Sequence, residues 1–154
     1  RDGSTVLRCE RADGSVTWQR RTGPTAAFFA AHDLGHYAVE TTLGLGYGFY
    51  GLLAAGWNIT DFGTRDLGDD ARPDATLAEH VVGLLDQERG TGHRMPADAF
   101  NAALAAAYRA QGAPPPRRLT DGDLHRIRQT RAALERRWHA LPPGDTLDLP
   151  YPAA

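Results

Sequence analysis

The chain has 154 residues, 42% of them apolar, which is the size of one domain (1–154) with room for a real core. Its formal net charge of −2 creates no large field, so neither a nucleic acid nor an anionic membrane is favoured as a partner. All 17 basic residues are Arg and Cys9 is the sole cysteine, which excludes a lysine Schiff base, a P-loop lysine, an intrachain disulfide and a cysteine-rich zinc cluster.

Residues 5–20 read as a β-hairpin. Two short runs of β-formers, 6–10 and 15–19, flank Asp13-Gly14, a favoured tight-turn pair. Gly23-Pro24 breaks the sheet, and Pro24 and Thr25 suit the start of a helix. That helix is expected over 25–43, with Gly44 as its stop. Residues 44–51 then alternate glycine with aromatics and lead into a short apolar helix, 49–55. Residues 57–73 read as a polar loop. Further helices are expected over 76–88, 96–111 and 120–140, the last opened by a capping-box pattern at Thr120 and Asp123. A proline-rich connector separates the last two. Residues 141–154 read as an extended tail, in which 146–149 can add an edge strand to the hairpin. The expected fold is α+β: a small antiparallel sheet packed on four to five helices.

The first helix carries His32-Asp33-Leu34-Gly35-His36, followed by Glu40. Two histidines four residues apart leave one face of a helix about one turn apart and can converge on one metal ion. At about 100° per residue, His36 falls roughly 40° and Glu40 roughly 80° from His32. Phe28, Val39 and Leu43 share that arc, so the histidines lie within the apolar stripe. Burying them without partners would cost on the order of 1–3 kcal/mol each. A divalent ion, zinc above all, would satisfy both at once. Glu40 lies roughly 12 Å along the axis from His32, too far for the same ion, and reads as a partner that orients His36. Asp33 sits on the rim of this face, where it can take a proton from water. The third ligand must come from another element. On the helix expected over 76–88, Leu77, Val81, Leu84 and Leu85 define the buried face. Glu88 falls within that face and His80 at its edge, whereas Glu79 points away, so Glu88 and His80 rank above Glu79. His93, in the next loop, ranks below them.

This segment resembles the HExxH helix of zincin metalloproteases, with Asp33 in the place of that family's glutamate. The resemblance covers this one helix. It implies His32 and His36 as zinc ligands and Asp33 as the residue that activates water. The longer string from His32 to Glu40 is similar to a motif of small uncharacterised bacterial proteins. His32-Asp33 is also similar to the central string of HD-domain phosphohydrolases, a family that needs a further histidine upstream.

Other features read as structural. Gly44, Gly46, Gly48 and Gly51 follow a helix instead of a strand, the wrong order for a dinucleotide loop. Arg126, Arg128, Arg131, Arg136 and Arg137 are interrupted by acidic residues and read as a solvated helix face. Trp18, Trp57 and Trp138 read as core or rim packing, and Cys9 as a small core residue. Ser4 and Ser15 are the only serines, and neither sits in a GxSxG elbow. No apolar run reaches membrane-spanning length and no signal peptide is visible, so a cytoplasmic protein is expected. The chain begins at Arg1, consistent with a leader or tag upstream.

Two main functions follow, with an HD-type phosphohydrolase, or a nucleic-acid-binding protein that uses the last helix, as a minor third. One is a metal-dependent hydrolase of a small-molecule or peptide substrate, with His32, His36 and either Glu88 or His80 on zinc and Asp33 handling the proton. The other is a non-catalytic interaction domain whose histidines are structural.

Overall fold

In the computed structural model, which describes residues 3–152, β1 (Ser4–Glu10) pairs antiparallel with β2 (Val16–Thr22), from Ser4 opposite Thr22 to Glu10 opposite Val16. The turn closes through Arg11 N to Ser15 O at 2.9 Å, while the Asp13 carboxylate accepts from Ser15 N at 2.9 Å. Gly14 supplies the left-handed residue (φ +81°) that this turn needs. Arg11 clips the hairpin to the rest of the chain by donating to the carbonyls of Leu53 (2.6 Å) and Trp57.

Five helices follow: α1 (Ala26–Leu43), α2 (Phe49–Ala54), α3 (Gly68–Thr91), α4 (Ala97–Ala110) and α5 (Asp121–Ala140). The fold is α+β, a small antiparallel sheet packed on helices, as its sequence predicts. Helix α1 stops at Gly44, left-handed at φ +67°, whose N–H returns to the Glu40 carbonyl. Helix α5 opens on the expected box: Thr120 Oγ accepts from Asp123 N, and Asp123 Oδ2 accepts from Thr120 N. No helix among the described residues is long and apolar enough to cross a membrane.

Four sequence expectations are corrected. Helix α3 begins at Gly68, eight residues before the expected start at Thr76, and carries Pro73 inside it. Asp69 and Asp70 in its first turn complement the helix dipole, and Ala71 and Leu67 gain burial against Leu52 and Trp57, which outweighs the polar, breaker-rich sequence. Residues 146–149 form no strand. Leu147 and Leu149 pack instead on Leu34, Ala38 and Leu134, where apolar burial on two helices exceeds what a bare sheet edge offers. Trp18 stands on the outer face of the hairpin, 62% exposed, because its register places it opposite Arg8 and away from α1. Lastly, Arg128 and Arg131 are not on a solvated face. They turn inward to carboxylates of α3, Glu88 and Asp86.

The main core joins α1 and α3 (Val39, Leu77, Val81, Val82, Leu85) to α4 and α5 (Phe100, Leu104, Tyr108, Leu124, Ile127). Asn101 locks the connector between α4 and α5 by exchanging two 2.8 Å bonds with the backbone of Leu119. The functional residues lie where α1 crosses α3.

Candidate metal centre

His32 and His36 project from one face of α1, and their Nε2 atoms point at each other across 3.2 Å. The opposite nitrogen of each ring is held by a carboxylate. His32 Nδ1 meets Asp86 Oδ2 at 2.7 Å, and His36 Nδ1 meets Glu40 Oε1 at 3.2 Å. Carboxylates accept only, so each Nδ1 must carry the proton of its ring. Two Nε2 lone pairs then converge, and a third electron-rich atom, Glu79 Oε1, stands 3.5 Å from His36 Nε2. Three donors so placed repel one another unless a cation, or an additional proton, lies among them. His32, His36 and Glu79 offer atoms within 4.8 Å of one another, the donor set of a divalent-ion site with two imidazoles and a carboxylate. The carboxylates on the far nitrogens are what such ligands ordinarily have behind them.

Each supporting carboxylate has its own scaffold. Glu40 is 1% exposed. Its Oε2 accepts from Tyr50 N (2.9 Å), Gly51 N (3.2 Å) and the Tyr151 hydroxyl (3.2 Å). The glycine-aromatic stretch is therefore an anion cradle after all, and the anion is the chain's own. At Gly48 a Cβ would fall 2.3 Å from Glu40 Cδ, and at Gly51 a Cβ would fall 2.2 Å from the Gly46 carbonyl oxygen. Asp86 accepts from Arg131 Nη2 at 2.5 Å, and Arg131 Nε donates to Glu135 at 3.0 Å. Burial pushes the Asp86 carboxyl up, but the hydrogen bonds from His32 and Arg131 prevail and hold it below the usual range. The same bond, donated by His32 to Asp86, holds the His32 imidazolium above its ordinary value, against burial. Gly35 faces the same guanidinium: a Cβ there would stand in ordinary contact, 3.5 Å from Arg131 Cζ and 3.4 Å from Val82 Cγ1.

The predicted third ligands do not join the pair. Glu88 is taken by Arg128, with contacts of 2.5 and 3.0 Å, and by Met95 N at 2.8 Å. His80 packs edge-on against Tyr108, ring centroids 5.0 Å apart, on the α4 side of α3. His93 is exposed, its backbone N–H turned to Thr91. Glu79 takes the place assigned to them. The bulky residues of α3 point the sequence reading towards Leu84. In fact Ala78 and Val82 are fully buried, which rotates the buried face and brings Glu79 and Asp86 to its α1 edge. The signal missed was two carboxylates seven residues apart on one helix stripe.

No family model, curated protein or solved structure matches the chain. The site must be read from its own geometry.

Asp33 follows His32 and is partly buried. Among the described residues, no hydrogen bond or salt bridge engages its carboxylate, whereas its backbone carbonyl accepts from the Tyr50 hydroxyl at 3.2 Å. Burial pushes its carboxyl up from 3.8 to about 6, against the pull of His32, His36 and Arg21. A group that folding makes harder to ionise contributes its full stability below its unfolded pKa and loses it as pH rises through the folded value. Asp33 therefore costs stability progressively between 3.8 and about 6. In metal-free protein, Asp33→Asn should raise unfolding free energy by about 3 kcal/mol at pH 7.5, with the gain vanishing near pH 3. Denaturant titrations in the presence of a chelator check this. Equal gains at both pH values would show that the charge is not the cause.

Proposed function

We propose that the protein is a metal-dependent hydrolase, with His32, His36 and Glu79 holding a divalent ion, most simply zinc. The observation that carries this reading is the meeting of two Nε2 lone pairs whose rings are already oriented by carboxylates. A divalent ion bound there would supply Lewis acidity towards water and the substrate carbonyl. Asp86 and Glu40 fix the tautomers and planes of the two imidazoles. Arg131 and the Gly48–Gly51 turn hold those carboxylates in place. Asp33 is the uncommitted base beside the pair. It removes the proton from water as the water oxygen bonds to the acyl carbon. It then returns that proton to the leaving group as the acyl–oxygen or acyl–nitrogen bond breaks.

The reading is tested on protein purified without a metal-affinity column. Elemental analysis should find near-stoichiometric zinc, lost in His36→Ala and sharply reduced in Glu79→Ala. Asp33→Asn should retain the zinc while zinc-dependent ester or peptide hydrolysis falls roughly 10²–10⁴-fold. Wild-type protein that neither carries nor takes up zinc would mean that a proton, not a metal, joins the two rings. The histidines would then be structural.

A further inference from the structure

Phe28 sits one turn before His32 on α1, its ring stacked on the imidazole with centroids 5.7 Å apart and planes 23° apart. It is nevertheless 44% exposed, one of few large apolar side chains left to solvent. Arg89 from α3 stands over the same ring, with the guanidinium carbon 5.5 Å from the ring centroid and the Nε 3.6 Å from Asp86. On α3, Gly83 lies between Glu79 and Asp86 on the stripe that meets the histidines. A Cβ there would meet nothing within 4 Å, and the position is exposed. A glycine inside a helix weakens it relative to alanine. Here no packing contact explains its presence. The Glu79 side chain is itself 63% exposed, so the donor set opens to solvent on this flank.

An open carboxylate, an exposed helix glycine and an exposed ring stacked on the His32 imidazole all lie along the seam of α1 and α3. We infer that Phe28 and the backbone at Gly83 form the substrate shelf of the metal centre, which takes acyl compounds carrying an apolar arm. This rests on the hydrolase reading above. The arm lies along the exposed part of the Phe28 ring, beside Arg89, with its carbonyl directed towards His32, His36 and Glu79. Gly83 leaves the clearance that this approach needs.

The test is binding, not turnover. Zinc uptake by the apo protein is titrated first. Acetohydroxamate and 3-phenylpropanohydroxamate, which share a zinc-binding head and differ in the arm, are then titrated calorimetrically into the zinc-loaded protein. The arm should tighten binding at least about tenfold, the scale of one or two buried methylenes. Phe28→Ala should bring that ratio below about threefold. Gly83→Leu, which fills the clearance and favours the helix, should do the same while raising the melting temperature. Equal affinities for the two probes, or a ratio unchanged in both variants, would overturn the shelf and leave the metal centre intact. Zinc binding with no hydroxamate binding would mean that the ion has no open position, ending both readings. Absence of zinc binding would end the hydrolase reading, and the shelf with it.

Discussion

Gly48→Ala should destabilise the protein by about 3–5 kcal/mol and weaken zinc binding at least roughly 10–100-fold. Gly48 has an ordinary backbone (φ −71°), so the cause is space, not strain. The new methyl would lie 2.3 Å from Glu40 Cδ and 2.5 Å from Oε2. Glu40 cannot yield, because two backbone N–H groups and the Tyr151 hydroxyl grip Oε2 while Oε1 holds His36. Either the turn opens and leaves a buried carboxylate unpaired, or the carboxylate moves and frees the imidazole. The first outcome costs stability and the second costs affinity. Gly46→Ala is the control, since a Cβ there meets nothing within 4 Å. Thermal melting and zinc titration of both variants check the prediction. A Gly48→Ala protein with wild-type melting and wild-type affinity would show that Glu40 is not held as described.

The second large effect separates the two glutamates of α3. Arg128→Met should cost about 3–5 kcal/mol, because it leaves the buried Glu88 carboxylate without its bidentate partner. Arg128 also donates to the Met95 carbonyl at 2.8 Å, so the loop after α3 loosens with it. The double variant Arg128→Met with Glu88→Met should recover most of the loss, since burying neither charge avoids both desolvation costs. Zinc stoichiometry should be unchanged throughout, because Glu88 is not among the converging donors. Denaturant unfolding and elemental analysis on the same samples decide this. Loss of zinc in Glu88→Met would restore Glu88 as a ligand and displace Glu79.

Much of the local structure was legible because it depends on neighbours in sequence. The hairpin follows from Asp13-Gly14 between two β-forming runs, and the end of α1 from Gly44. The start of α5 follows from Thr120 and Asp123. The pairing of His36 with Glu40 is legible for the same reason, since residues four apart meet on any helix. The length of α3 was not legible. Its first two turns are polar and proline-bearing, and packing on Leu52 and Trp57 is what outweighs that sequence. Arg128 and Arg131 of α5 likewise look solvated until α3 is laid beside them.

By itself, the sequence determined that two imidazoles share a helix face, that Glu40 backs one of them, and that any metal here must use nitrogen and carboxylate donors. Helical periodicity and composition are enough for that. Only the tertiary structure decided that Glu79 stands with the pair, that Asp86 and Arg131 brace His32, and that Glu88 belongs to Arg128. Those choices depend on the rotation of α3 against α1 and α5. That rotation is set by how α3 buries Ala78 and Val82 between its neighbours, a packing outcome that no single helix encodes.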